Sequence, residues 1–312
     1  MELSGCGTAL VTPFLSDGSL DEKSLTALVE WQIQSGIRFL VACGTTAETP
    51  TLNDDEWLRV IRLVAGAAGK RVPVLAGCTH NATREAVDRA VRAAEIEGVD
   101  GVLTANPYYN KPTQEGQYRH FRAIAESVSC PVVLYNIPSR TGVNLEPATI
   151  LRLATDVPNI QAVKESSGNL QQITELIHQA GSGFSVFAGD DGMALPVIAL
   201  GGAGLVSVAS NEIPAEMARM IDSALKNEWQ VARDLYRHYA ELIAANFWES
   251  SPGPVKCVMA MMGLIEENYR LPIVPVTATT RTRLAQLMDK LGLSAPSTQT
   301  SAQVSAQTKM TA

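Results

Sequence analysis

Gly192-Met-Ala-Leu-Pro-Val-Ile-Ala-Leu-Gly-Gly-Ala-Gly-Leu-Val-Ser-Val-Ala-Ser-Asn211 runs for 20 residues without a charge, and how it is read decides the fold. Its length would suffice to span a bilayer. Pro196 and the glycines Gly192, Gly201, Gly202 and Gly204 break it up, so it reads as a short helix, a glycine turn and a buried strand, Leu205–Ala209. No membrane partner is expected.

That strand is the last of eight short apolar runs. The others are Gly7–Val11, Phe39–Cys43, Val72–Cys78, Gly101–Ala105, Pro131–Asn136, Gln161–Lys164 and Phe184–Ala188. Between them lie segments of helical period, among them Asp21–Ser35, Asp54–Ala68, Thr83–Glu97, Gln114–Val128 and Leu170–Ala180, several opened by capping Asp, Asn or Thr. Eight uninterrupted strand-helix repeats predict an α/β fold of the (β/α)8 TIM-barrel type. An open doubly wound sheet is the alternative, but it would usually show a dinucleotide or phosphate loop early. The chain has neither Gly-x-Gly-x-x-Gly nor a Walker A sequence.

After residue 212 the strands stop, and Leu235, Tyr236, Tyr239, Leu242 and Ile243 recur at helical spacing. The expected organisation is a barrel over 1–212, a C-terminal helical region over 213–293 and a flexible tail over 294–312. In that tail 15 of 19 residues are Ser, Thr, Gln or Ala, too few apolar side chains to order it.

Composition agrees with a globular barrel. The chain has 312 residues, 46% hydrophobic and 18% charged, and only six Phe, four Trp and seven Tyr, so its core must be mostly aliphatic. With 25 basic and 32 acidic residues the net charge is −7, and no basic run tracks a phosphate backbone, so nucleic acid is not an expected partner. Five cysteines (Cys6, Cys43, Cys78, Cys130, Cys257) lie far apart without a Cys-x-x-Cys. The Met-Glu-Leu start lacks the regions of a secretory signal, so reduced, buried thiols in a cytoplasmic protein are expected.

Barrel chemistry gathers at the carboxyl ends of the strands, and the polar residues of this sequence gather there too. Lys164 is the most informative. Alternation puts Ala162, Lys164 and Ser166 on one face, and small Ala162 leaves room beneath a long side chain. An ammonium pointing into a barrel loses hydration, which favours the free amine that attacks carbonyls. The plainer alternative is a buried lysine paired with a carboxylate. Lys256 also has apolar neighbours, but it reads as a helix residue whose ammonium snorkels to water. Tyr135 could reach the same cavity as a proton carrier, or simply line its wall. Arg140 suits a carboxylate bidentately, or is a solvated loop residue. Thr45 and Thr46, beside a glycine, offer hydroxyls and N–H groups to an anion, or cap the next helix. His80, His120, His178 and His238 lack ligand spacing, so no metal is expected. Asp190 and Asp191 point to opposite sides, and capping the next helix is their expected role.

Taken in order, Gly7-Thr-Ala-Leu-Val-Thr-Pro-Phe14, Gly44-Thr-Thr-Ala-Glu48, Pro107-Tyr-Tyr-Asn-Lys-Pro112, Tyr135-Asn-Ile-Pro-Ser-Arg-Thr-Gly142, Val163-Lys-Glu-Ser166 and Ala188-Gly-Asp-Asp191 resemble the pyruvate-dependent class I aldolase superfamily. Within it the match is closest to the dihydrodipicolinate synthase family and covers the chain to about residue 292. The resemblance implies a lyase of lysine and diaminopimelate biosynthesis that condenses pyruvate with L-aspartate 4-semialdehyde. Lys164 would form the Schiff base with pyruvate, without an external cofactor. Thr46, Tyr135 and Tyr109 would relay protons, Tyr109 from a neighbouring subunit, which implies a homo-oligomer, a tight dimer commonly doubled to a homotetramer. Thr45 and Thr46 would hold the pyruvate carboxylate and Arg140 that of the semialdehyde, while Gly189 and Val206 would line the pocket.

N-acetylneuraminate lyase and sugar-acid aldolases share the lysine and tyrosine, but Thr45 and Arg140 favour the semialdehyde. A non-catalytic barrel that binds an oxo acid is the alternative from another class. Asn81, Glu85 and Tyr108 match the family's allosteric lysine-binding residues. Trp57 and Asp54 stand where lysine-sensitive relatives have histidines, which implies weak or altered inhibition. Val206 replaces a common Ile, and Ala47 replaces the usual Gly of Gly-Thr-Thr-Gly-Glu, a substitution that costs about 1 kcal/mol if φ is positive there.

Overall fold

The apolar runs assemble into one closed, wholly parallel sheet in the computed structural model, which describes residues 3–181 and 183–293. The strands are β1 (Gly5–Ala9), β2 (Phe39–Ala42), β3 (Val74–Gly77), β4 (Gly101–Ala105), β5 (Val132–Asn136), β6 (Ile160–Glu165), β7 (Ser185–Ala188) and β8 (Gly204–Ser207). Each pairs with the next in chain order, and β8 returns to β1 with Val206 opposite Gly7, so the sheet has no edge. Helices cover its outer face and side chains fill the inner one, which is why nearly continuous apolar runs were needed. The (β/α)8 barrel expected from the sequence is therefore present.

The charge-free stretch folds as read: a helix at Ala194–Ala199, a glycine-containing turn, then β8. Among the described residues no helix is long and apolar enough to cross a membrane. Strand limits differ from expectation at a few ends. β1 begins at Gly5, because Gly5 pairs with Gly204 as the barrel closes. β8 ends at Ser207, because Val208 takes helical angles (φ −96°, ψ −46°) and starts the turn Ala209–Asn211. Helix starts follow local chemistry: Asn53 and Glu56 form a capping box for Asp54–Ala68, and Asn169 caps Leu170–Gln179.

Inside the barrel a separate apolar cluster plugs the lower half. It includes Phe39, Leu75, Leu103, Ala162, Phe187 and Val206, with Phe39 and Phe187 edge to face at 5.4 Å. Gly7 is required there, since a Cβ on it would lie 2.2 Å from the Phe39 ring. Above this plug, towards the carboxyl ends of the strands, the barrel opens into a cavity. Beyond β8, the helix Pro214–Leu225 packs on β1 and completes the ring of helices. The helices Trp229–Ala245, Gly253–Met261 and Ala278–Leu291 follow. The tail read as flexible, 294–312, lies outside the described residues. All five cysteines are free thiols, four of them buried.

Candidate active site

Register and alternation together place the central side chains. β5 and β6 pair with Tyr135 directly opposite Lys164. Ala162 enters the interior plug, and Lys164 and Ser166, two and four residues on, emerge above it into a cavity of about 340 Å³. Lys164 is only 5% exposed, and its Nζ lies 4.3 Å from the centre of the Tyr135 ring, a cation–π distance. Among the described residues no carboxylate forms an ion pair with it. The lysine buried against an acid is instead Lys256, whose ammonium meets Glu48 Oε1 at 2.5 Å with neither side chain exposed. The snorkelling role expected of Lys256 is therefore wrong: its helix, Gly253–Met261, faces the barrel and offers that side chain no route to water.

Gly189 closes one wall of the cavity. Its N–H donates to the Glu165 carbonyl at 2.9 Å, and a Cβ there would fall 1.9 Å from Ser166 Oγ and 2.9 Å from Lys164 Cγ and Cε. Ser166 Oγ is buried and has no hydrogen-bond partner among the described residues. A buried hydroxyl in that state is available to a bound molecule.

On the opposite side, Gly44 leads into the helical turn Thr45–Ala47, with Thr46 buried and lining the cavity. Ala47 does not have positive φ, so the strain conditional on that conformation does not arise. The left-handed residues are its neighbours Cys43 (φ 55°) and Glu48 (φ 53°). Arg140, on the short helix Pro138–Thr141, donates to the Ser251 carbonyl at 3.4 Å and forms no ion pair among the described residues. It lines both the 340 Å³ cavity and an adjoining one of about 400 Å³, which also share Thr45 and Tyr135. The two openings thus meet at Arg140 and Tyr135. Phe247, half exposed, and Ser251 line the smaller cavity from the C-terminal helical region. Sequence reasoning missed both, because an isolated Phe and Ser more than 80 residues from Lys164 carry no local signal.

Not every expected residue meets here. Val206 lies in the interior plug, and Val208 lines the cavity instead. Tyr109 is 88% exposed, with left-handed backbone (φ 73°), and borders neither cavity. Tyr108 lines the larger cavity, edge-on to His80 at 6.4 Å. Asn81 offers its carbonyl to Asn110 Nδ2 at 2.9 Å, and Glu85 accepts from Arg84 at 2.8 Å. Trp57 is buried, donates Nε1–H to the Gly77 carbonyl at 3.0 Å, and carries the guanidiniums of Arg89 and Arg92 5.6 Å from its ring. Asp54 pairs with Arg92 at 3.0 Å.

Two buried carboxylates brace the site from outside. Glu165, next to Lys164, points out of the barrel and accepts from Ser167 N (2.7 Å), Asn136 Nδ2 (3.0 Å) and Gln172 Nε2 (3.1 Å); burial still raises its carboxyl above the usual range. Asp190 caps the next turn through Gly192 N at 2.8 Å, as expected. Asp191 is buried, holds Ser207 Oγ and Val208 N, and is likewise raised by burial. Among the described residues no group of His, Cys, Asp and Glu could hold a metal ion.

A (β/α)8 barrel whose open end gathers a buried lysine and an arginine, both without an acid partner among the described residues, and a tyrosine against the lysine has the makings of a barrel enzyme with an amine nucleophile and an anion-binding group. A model of the Dihydrodipicolinate synthetase family matches residues 2–291. The 4-hydroxy-tetrahydrodipicolinate synthase of Acidobacterium capsulatum is 66% identical over 94% of this chain and 97% of its own length; that of Koribacter versatilis is 58% identical over the same shares. The solved dihydrodipicolinate synthase of Acinetobacter baumannii, a chloride-inhibited enzyme complexed with pyruvate, superposes with a TM-score of 0.91 at 41% identity, over 94% of this chain and all of that one. The chain belongs to the dihydrodipicolinate synthetase family and is a lyase.

Proposed function

We propose that the chain works as a 4-hydroxy-tetrahydrodipicolinate synthase, joining pyruvate to L-aspartate 4-semialdehyde through a Schiff base on Lys164, in the lysine and diaminopimelate pathway. The observation that carries it is the position of Lys164: buried, stacked on Tyr135, unpaired with any acid among the described residues, and opening into a cavity shared with Thr45, Thr46 and Arg140.

The Lys164 amine attacks the C2 carbonyl of pyruvate, and water leaves to give an iminium. Its positive nitrogen accepts electrons, so a methyl proton departs and the resulting enamine carbon bonds to the aldehyde carbon. The amino group of the semialdehyde then closes on C2 and releases Lys164. Tyr135 and Thr46 carry protons without adding a full charge to the pocket, and Tyr109, exposed on its own chain, serves a neighbouring subunit in a homotetramer. Thr45 and Thr46 bind the pyruvate carboxylate. Arg140, at the junction of the two cavities, binds that of the semialdehyde. Gly189 keeps the wall thin beside the Lys164 chain, and Val206 supports the floor from below. No cofactor beyond the covalent pyruvate is used.

Lysine feedback through Asn81, Glu85 and Tyr108 is weak or altered, because buried Trp57 and ion-paired Asp54 stand in place of histidines. The same family fold also serves N-acetylneuraminate lyases, so substrate choice is the test. Turnover of pyruvate with aspartate 4-semialdehyde is expected, with no cleavage of N-acetylneuraminate; the reverse pattern would overturn the assignment.

A further inference from the structure

Behind the Thr45–Thr46 turn lies a buried ion pair that the proposed chemistry does not use. The Lys256 ammonium donates to Glu48 Oε1 at 2.5 Å and to the Thr12 carbonyl at 3.1 Å, and lies 4.5 Å from the Phe14 ring and 5.1 Å from that of Tyr269. Glu48 Oε2 accepts the Arg270 N–H at 3.2 Å. One carboxylate, on the residue that ends the turn, is thus gripped by two segments more than 200 residues further along the chain. Bonds within the turn and one more from Arg270 complete the network. Thr49 Oγ1 donates to the Gly44 carbonyl at 2.7 Å, Thr51 Oγ1 to that of Glu48 at 2.9 Å, and Arg270 Nη1 to that of Thr51 at 3.0 Å.

Stability alone is a weak reason for such a pair. Desolvating two charges offsets most of their attraction, and well-packed apolar residues usually serve a core as well. Glu48 is moreover held in left-handed backbone, which non-glycine residues adopt only when their surroundings impose it. The imposed kink sits two residues after Thr46, and Glu48 N donates back to the Thr45 carbonyl at 3.2 Å. The kink is therefore held from two sides, by hydrogen bonds within the turn and by Lys256 and Arg270 of the C-terminal helical region.

We propose that Glu48 and Lys256 are positioning residues of the lyase: their ion pair fixes the kink that aims Thr45 and Thr46 at the pyruvate held on Lys164. This rests on the assignment of those threonines to the pyruvate carboxylate. Arg140 meets the start of the Lys256 helix only through the Ser251 carbonyl and forms no hydrogen bond with Glu48 or Lys256, so the second substrate should be affected much less.

The test compares Glu48→Gln, Lys256→Met and the double variant with wild-type enzyme, measuring KM for each substrate, the rate at which borohydride traps pyruvate, and Tm. In each single variant, pyruvate KM should rise and trapping should slow by about tenfold or more, as expected for misplaced binding groups, with semialdehyde KM within about twofold of wild type. The double variant should be no worse than the worse single, since the two residues act as one unit. Should a single variant fail to fold with a charge left unpaired, the double variant removes both charges at nearly constant volume and stands in for it. Folded variants with lowered Tm but wild-type pyruvate KM and trapping rate would overturn the proposal, leaving the pair a structural one. Failure of the underlying assignment is visible separately: a folded variant with Thr45→Val and Thr46→Val that keeps wild-type pyruvate KM and trapping rate would show that these threonines do not hold the pyruvate carboxylate.

Discussion

Replacing Gly189 with alanine probes whether the Lys164 amine must sit where the barrel places it. Gly189 does not have positive φ, so the substitution adds no backbone strain and acts only through the new methyl. That methyl would fall 1.9 Å from Ser166 Oγ and 2.9 Å from Lys164 Cγ and Cε. To reach an ordinary contact of about 3.4 Å, the hydroxyl must yield by about 1.5 Å and the lysine carbons by about 0.5 Å each. Overpacking of this kind costs about 1–3 kcal/mol, and a few degrees of Tm in a protein of this size. Cε carries the reacting nitrogen; a misplacement of about 1 Å is worth about 100-fold in rate, so about 0.5 Å is worth about tenfold, or about 1.4 kcal/mol in the barrier. Mass spectrometry of the borohydride-trapped pyruvate adduct against time measures the rate, and a melting curve measures stability. The expected result is a folded variant, slightly less stable, that traps pyruvate about tenfold more slowly. Trapping at the wild-type rate would refute the packing argument, since the methyl would then be accommodated without moving the amine.

Three further outcomes follow from the same geometry. Arg140→Ala should impair turnover with aspartate 4-semialdehyde by about 10–100-fold, as loss of a charged hydrogen bond of about 1.5–3 kcal/mol requires, and leave the pyruvate adduct intact; loss of both would mean that Arg140 serves pyruvate as well. Tyr109→Phe and Lys164→Ala, each weakly active or inactive alone, should regain activity when unfolded together and refolded, because a mixed dimer pairs an intact Lys164 with an intact Tyr109. No recovery in verified mixed oligomers would place Tyr109 outside the partner's site. His120 is buried, and burial lowers its pKa to about 4 from an ordinary 6.5. Its neutral form is favoured in the folded state, so the associated stability is complete above about pH 6.5 and is lost as pH falls towards 4, up to about 3 kcal/mol. His120→Gln should flatten that part of a Tm–pH curve, whereas parallel curves for the two proteins would contradict the assignment.

The barrel was legible because its strands are buried on both faces and stand out as apolar runs, and even the charge-free stretch at 192–211 resolved through its glycines and Pro196. Strand ends were less legible where closure decides them: nothing local to Gly5 says that Gly204 will pair with it. At the site, alternation along β6 sufficed to aim Lys164 and Ser166 above Ala162. It could not rank Val206 against Val208, because the chain leaves strand geometry between them. Lys256 shows the limit most clearly. Its helical neighbours suggest a snorkelling side chain, and its partner Glu48 lies 208 residues away in a turn whose left-handed backbone no sequence pattern announces. Glu165 was equally hidden, since a carboxylate on the outer face of a strand acquires its donors from Asn136 and Gln172 only when the helices close over it.

The central claim is that Lys164 carries pyruvate covalently. Incubating the full chain with pyruvate, reducing with borohydride and sequencing the peptides by mass spectrometry tests it most directly. The account predicts one reduced pyruvyl group, on Lys164, and none on Lys256 despite its similar burial. A folded, unmodified Lys164, or an adduct on another lysine, would contradict it.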